Sequence, residues 1–258
     1  MKIKSIIKKY IPKSLTYDIR YLYKINELTK KRNREFKRKG IDGLEYKYTL
    51  RDFYENNCIF VHIPRAAGNS ISNSLFGHCG GGHKSIRDYR KIFGPWFHFY
   101  YKFTFVRNPF ARLVSAYDYL KKGGHPAWPS NRRFAKQVIA SYTGFSEFVL
   151  QWLRPDRSDF PLPHFYPQTF FLELDGELTV DFIGSVESIK KDFDIVCREL
   201  GKGNSLHREN EAPGERKPLS AFYTKDSVIR RVQEVYKSDF GKLGYPRNLE
   251  RAEQPPVN

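Results

Sequence analysis

Apolar residues along this chain fall into two alternating rhythms. The runs CIFVH (58–62) and KFTFV (102–106) are continuous and apolar, and VDFIG (180–184) is a shorter example; strands buried on both faces of a parallel sheet read this way. After the second run, Leu113, Ala116, Tyr117 and Leu120 recur at helical spacing; after the third, Ile189, Phe193, Val196 and Leu200 do the same. Val228, Val232, Val235, Tyr236 and Phe240 predict one more amphipathic helix over about 224–241. Strands alternating with helices predict an α/β fold, a central parallel sheet flanked by helices, with sites at the carboxyl ends of the strands. With 258 residues, 40% of them hydrophobic, the chain can bury one good-sized core. No Pro/Gly/Ser-rich linker divides residues 50–246, so a single domain over 44–248 is expected, preceded by a basic extension at 1–43 and followed by a tail at 249–258.

The most informative stretch is CIFVHIPRAAGNSIS (58–72), a strand, a tight loop of small residues and a helix start. Small side chains let successive backbone N–H groups point inward, and the helix adds its own unpaired donors and positive dipole end, so such a turn cradles an anion. Ala66, Ala67 and Gly68 allow close approach, Asn69, Ser70 and Ile71 open the helix, and Arg65 contributes a permanent charge. The loop is shorter than the GxxxxGK[ST] nucleotide loop and its cation precedes the glycine, which weakens an ATPase or GTPase reading. Taken alone, PRAAGNS also reads as a plain strand-to-helix turn.

A second strand-to-helix segment, KFTFVRNPFARLVSAYDYLKK (102–122), changes the balance. Asn108 is placed to cap and Pro109 opens the helix, where its missing N–H costs nothing. Arg107 then stands at the end of a strand and Ser115 two turns along the helix, off the buried stripe, so that together they can hold a second phosphate. Either residue alone reads as an ordinary surface group.

These residues resemble a known family. FVHIPRAAGNSI is similar to the loop that binds the 5′-phosphosulfate of 3′-phosphoadenosine-5′-phosphosulfate (PAPS) in carbohydrate sulfotransferases, and FTFVRNPFARLVSAY is similar to their 3′-phosphate motif, including the Arg107–Ser115 spacing. Softer likeness continues through HFYPQTFFL, VDFIGSVESIKKDF and YTKDSVIRRVQEVYKSDFGKLGY, so the resemblance covers about residues 56–246 in order. It implies a single-domain, P-loop-NTPase-like sulfotransferase fold, PAPS as co-substrate, no metal, and sulfuryl transfer to a hydroxyl of a glycan acceptor, whether acidic or lipid-linked. The chain departs from the family where lysine is usual, carrying Arg65, and where threonine is usual, carrying Ala66 and Asn69. Arginine stays protonated far above neutral pH, so Arg65 suits an electrostatic clamp rather than an acid.

Sulfuryl transfer needs preorganised donors around the sulfate and the leaving phosphate, and a general base for the acceptor hydroxyl. The resemblance points to His83 as the base, because relatives carry a histidine in the stretch between the two motifs, and to His164 second, within a segment resembling a substrate-proximal region. It also makes Arg216 and Lys217 candidates for cofactor contact, in a stretch where relatives have a loop closing over the adenosine. His62, just before the loop, reads as a packed orienter. His78, Cys79 and His83 suggest zinc, but no CxxC or HxxxH pairing accompanies them. Three cysteines make no disulfide framework.

The formal net charge is +17, and residues 1–43 hold fourteen Lys/Arg against four Asp/Glu. Three readings compete for that extension: a solvated tail, peripheral contact with an anionic membrane surface, and engagement of a polyanionic glycan. No nucleic-acid module accompanies the charge, so no specific nucleic-acid partner is expected. No apolar stretch approaches the roughly 20 residues that cross a bilayer, which leads to the expectation of a cytoplasmic protein on the inner membrane surface, not secreted. The reading is thus a PAPS-dependent carbohydrate O-sulfotransferase. Its alternatives are an inactive relative that binds PAPS or polyanions, and a P-loop kinase, which would need Mg²⁺ to bridge its phosphates.

Overall fold

A computed structural model describes residues 13–38, 50–79, 82–157, 159–203, 205–206 and 217–256. In chain order the longer elements are α1 (Lys13–Arg38), α2 (Leu50–Glu55), β1 (Cys58–Val61), α3 (Gly68–Phe76), α4 (Ile86–Phe93), β2 (Tyr101–Val106), α5 (Pro109–Lys121), α6 (Pro129–Gln137), α7 (Phe145–Gln151), α8 (Gln168–Leu172), β3 (Glu173–Leu174), β4 (Glu177–Leu178), β5 (Phe182–Ser185), α9 (Ile189–Glu199), α10 (Asp226–Val235) and α11 (Lys237–Lys242). The alternation expected from the sequence is present: β1, β2 and β5 form a parallel sheet in the order β1-β2-β5. Cys58 pairs with Tyr101 and Val61 with Thr104 on one side, and Phe103 with Phe182 and Val106 with Ser185 on the other. Because helices cover both faces, every residue of β1 and all but the first of β2 are buried.

The core is aromatic. Phe53, Phe60, Phe93, Phe97, Phe103, Phe105, Phe110, Phe148 and Phe165 are all essentially inaccessible, and Leu113, Ala116, Tyr117 and Leu120 of α5 are buried as their spacing predicts. Ile25 of α1 is buried as well, and Lys24 Nζ donates to the Lys91 carbonyl at 3.4 Å, so this half of the basic extension packs on the domain. At the other end, Ala252 is fully buried.

The predicted helix over 224–241 is two helices. The break falls at Tyr236, whose backbone leaves helical values (φ −104°, ψ 27°) and whose hydroxyl donates to the Phe165 carbonyl at 3.0 Å. The change of direction lets α11 bring Asp239 against the start of α8: its carboxylate accepts the N–H groups of Gln168 (2.8 Å) and Thr169 (3.0 Å). A carboxylate at a helix N-terminus satisfies donors the helix cannot satisfy itself.

Candidate functional site

The chain leaves β1 through His62 and Ile63 and turns at Pro64–Ala67 before α3 begins. Arg65 (φ 68°) and Ala67 (φ 59°) both adopt left-handed backbone, while Ala66 between them does not. Alternation of backbone sign over three residues turns consecutive N–H groups to one side, the concave arrangement that holds an anion, and side chains with a Cβ enter that region only at a cost. Gly68 follows because nothing larger fits: a Cβ there would overlap the imidazole of His62. Ser70 and Ile71 are buried in the first turn of α3, with Asn69 half-buried between Gly68 and Ser70.

The second segment meets it directly. Arg65 Nε donates to Ser115 Oγ at 3.1 Å, and the guanidinium lies over the Tyr119 ring, 4.5 Å from its centroid. Ser115 and Tyr119 are one turn apart on α5, so the first motif's cation rests on the second motif's helix. Asn108 caps that helix by accepting the Phe110 N–H at 3.0 Å. Arg107 follows β2, with its peptide held by Gln168 and that of Asn108 by Glu187 Oε1 (2.8 Å); Tyr245 donates to the other Glu187 oxygen at 2.8 Å. Burial raises the Glu187 carboxyl, and nearby Arg107 opposes that shift.

Three imidazoles complete the site. His83 Nδ1 lies 3.0 Å from the His62 carbonyl, which can only accept, so Nδ1 carries the proton and Nε2 presents its lone pair. The His83 ring is 4.7 Å from that of His62 and 6.1 Å from that of His164, and His164 stacks on Tyr119 at 5.4 Å. Burial lowers His83 to about 4, the bond to the His62 carbonyl opposes this, and Arg112 and Arg65 push further down. Burial likewise lowers His62 and His164 well below the ordinary histidine value. All three are neutral at pH 7, so they stand within the electrostatic reach of the Arg65 guanidinium without adding positive charge.

Of the residues expected from the sequence, Arg65, Ala66, Ala67, Gly68, Asn69, Ser70, Ile71, Ser115, His83 and His164 converge here, and Arg107 lies at the end of the adjoining strand. Lys217 is exposed and acts electrostatically on Asp118 of α5; Arg216 falls outside the described residues. His78 is turned away from His83, pairing its Nε2 with Asp52 at 3.1 Å. Among the described residues no group of three or more His, Cys, Asp or Glu is arranged to hold a metal ion. Sequence reasoning missed Tyr119, Arg112, Gln168, Glu187 and Asp239. For Arg112 a signal existed: it falls on the buried stripe of α5, four residues before Ala116, where a charge needs an explanation.

Set beside known proteins, residues 48–246 match the model of the sulfotransferase family. The chain is 28% identical over 165 residues to carbohydrate sulfotransferase 11 of Rattus norvegicus, covering 57% of the chain and 47% of that protein. It is 23% identical over 176 residues to carbohydrate sulfotransferase 12 of Mus musculus (57% and 41%) and 26% over 168 residues to carbohydrate sulfotransferase 10 of Xenopus laevis (57% and 47%). The chain thus spans less than half the length of these relatives. No solved structure matches it. The expected cytoplasmic placement is overturned, since these relatives are Golgi membrane-type enzymes. It rested on the lack of a long apolar stretch; among the described residues no helix is long and apolar enough to cross a membrane, and that does not locate the protein.

Proposed function

Because this chain belongs to the sulfotransferase family, we propose that it transfers a sulfuryl group from PAPS to a hydroxyl of a carbohydrate acceptor, using the site built by Arg65, Ser115, Arg107 and His83. The observation that carries this reading is the Arg65–Ser115 hydrogen bond: it joins the two anion motifs into one site with two ends, and His83 lies beside the first.

The donor set suits a substrate with two separated anionic groups. Around the loop stand backbone N–H groups, the Arg65 fork and the Ser115 hydroxyl. At the second end the Glu187 oxygens accept from the Asn108 N–H and the Tyr245 hydroxyl, and Arg107, which acts electrostatically on that carboxylate, brings positive charge. PAPS supplies a sulfuryl group on a phosphate that leaves as an anion. The loop and Arg65 stabilise the charge that gathers there, a preorganised electrostatic contribution. His83 Nε2 accepts the acceptor's proton as the new oxygen–sulfur bond forms, and the His62 carbonyl, bonded to the far nitrogen, supports the positive ring that results. His164, behind Tyr119, borders the same space and is placed for the acceptor. Arg107 and Ser115 are assigned to the 3′-phosphate end, with Lys217 and Arg216 as further contacts to the cofactor.

The test is calorimetric titration with adenosine-3′,5′-bisphosphate, with and without Mg²⁺, against Mg·ATP, followed by sulfate transfer from PAPS to a panel of polysaccharides and glycolipids. Metal-independent bisphosphate binding that Arg107→Ala weakens, with transfer to a glycan, is the expected result. Binding without transfer to any acceptor would point to a donor-binding relative that has lost catalysis. Preference for Mg·ATP would overturn the proposal.

A further inference from the structure

Between Arg107 and Ser115 lies the other arginine of the second segment, and it is buried. Arg112 is 2% exposed, and its side chain reaches backbone on two other segments: Nε donates to the Pro64 carbonyl at 3.0 Å and Nη1 to the Tyr166 carbonyl at 2.9 Å. Pro64 immediately precedes Arg65, the first left-handed residue of the anion loop. Tyr166 lies two residues after His164.

A buried guanidinium is an expensive way to fill a core, since leucine or methionine would occupy a similar volume without desolvating a charge. Part of that cost is met by Asp239, buried and electrostatically coupled to Arg112, while Asp239 itself holds the start of α8. What leucine and methionine cannot do is fix two carbonyls at once in a set geometry, as the planar fork of arginine does.

We propose that Arg112 is a positioning residue for the reaction: it pins the peptide entering the anion loop and the segment bearing His164 to one helix, α5, which also carries Ser115. The inference rests on the donor-site reading above. By fixing the Pro64 carbonyl it holds the next peptide in the orientation that Arg65 and Ala67 complete, and by fixing Tyr166 it sets how far His164 stands from the loop. Arg112 touches no substrate; it acts through the residues it holds.

The test compares Arg112→Lys, Arg112→Met and Arg107→Ala with wild type in the full chain, by thermal melting, bisphosphate calorimetry and steady-state kinetics with PAPS. Lysine keeps the charge but cannot reach both carbonyls. Arg112→Lys is therefore expected to melt close to wild type yet bind the bisphosphate at least about tenfold more weakly, with kcat falling more than the acceptor KM rises; Arg112→Met should lose both stability and binding. If both Arg112 variants bind the bisphosphate within about twofold of wild type while Arg107→Ala does not, Arg112 is a core residue only and the inference is wrong. If Arg107→Ala also binds normally, the donor-site reading fails and takes this inference with it. Should neither Arg112 variant fold, hydrogen exchange of the wild type decides: amides of 65–70 and 165–166 gaining protection together on bisphosphate binding supports the link, and gain confined to 65–70 overturns it.

Discussion

Gln168 grips the peptide of Arg107 from both sides: Oε1 accepts the Arg107 N–H at 2.9 Å, and Nε2 donates to the Arg107 carbonyl at 2.8 Å. A side-chain amide here does what a neighbouring strand would do, continuing the hydrogen-bond ladder one residue past the end of β2. Since Asp239 holds the Gln168 N–H, the strand end that carries Arg107 is anchored through α8 to α11, more than 130 residues along the chain.

Replacing Gln168 with leucine leaves a buried N–H and carbonyl unpaired, which costs about 1–3 kcal/mol for each group not rescued by water. Urea denaturation should show the loss, and bisphosphate affinity should fall with it because Arg107 is no longer fixed. Wild-type affinity in a destabilised Gln168→Leu would separate the Gln168 bond from ligand binding.

His83→Gln preserves a hydrogen-bonding side chain of similar reach and removes the base. Its kcat should fall by about 10²- to 10⁴-fold, the usual contribution of a general base. Bisphosphate affinity should stay near the wild-type value, because the loop and Arg65 remain. A full-rate His83→Gln would move the role to His164, and His164→Gln is the control.

The three histidines of the site make stability depend on acid. Burial lowers His83 from 6.5 to about 4, and the folded protein therefore refuses a proton that the unfolded chain accepts. Where the unfolded state binds more protons, stability rises with pH, so it should be complete above about 6.5 and decline as pH falls toward 4, where the His83 contribution levels off. His62 and His164 shift the same way and steepen the decline. Urea midpoints measured between about pH 7.5 and 4 should show it, with a shallower slope in His83→Gln. The same displacement leaves Nε2 unprotonated at neutral pH, so any acid limb of kcat/KM due to His83 should lie nearer 4 than 6.5 in the free enzyme.

Gly68→Ala should damage the loop without touching a charge. The new methyl overlaps His62, so either the imidazole moves or the turn opens, at about 1–3 kcal/mol for an overpacked site. Because His62 presents the carbonyl that fixes the His83 tautomer, both bisphosphate binding and kcat should fall. Normal binding and turnover in Gly68→Ala would show that His62 can give way freely.

The anion loop and the capped helix after β2 were legible in the sequence because each is made by consecutive residues: small side chains at 66–68, Asn108 and Pro109 at a helix start, apolar spacing along α5. Arg65, Ser115 and His83 could be nominated because each stands in or beside such a segment. The bonds among them could not be read, since Arg65 and Ser115 are 50 residues apart and their contact depends on how β1 and β2 pair. The groups that hold the site were harder still. Gln168, Glu187 and Asp239 work on backbone N–H groups far from them in sequence, and a polar residue bonded to a distant peptide looks the same in a sequence as one facing water. The helix break at Tyr236 is equally silent, because the apolar stripe runs through it: Val232, Tyr236 and Phe240 are all buried on either side of the change in direction.

The two anion motifs leave adjacent strands of one parallel sheet, with Val61 level with Thr104 and the strands about 4.8 Å apart. That makes the sheet a ruler. The interval between the loop after β1 and Arg107 after β2 is fixed by strand spacing and register, neither of which a surface substitution alters. Exchanging arginines can weaken or strengthen the grip on a ligand, but it leaves unchanged the distance between charges that fits. To change that distance, β2 would have to slip against β1, and a slip of one residue would turn its buried side chains to the opposite face. On the proposed reading, discrimination between two separated phosphates and a contiguous polyphosphate is thus written into the backbone and guarded by the whole aromatic core.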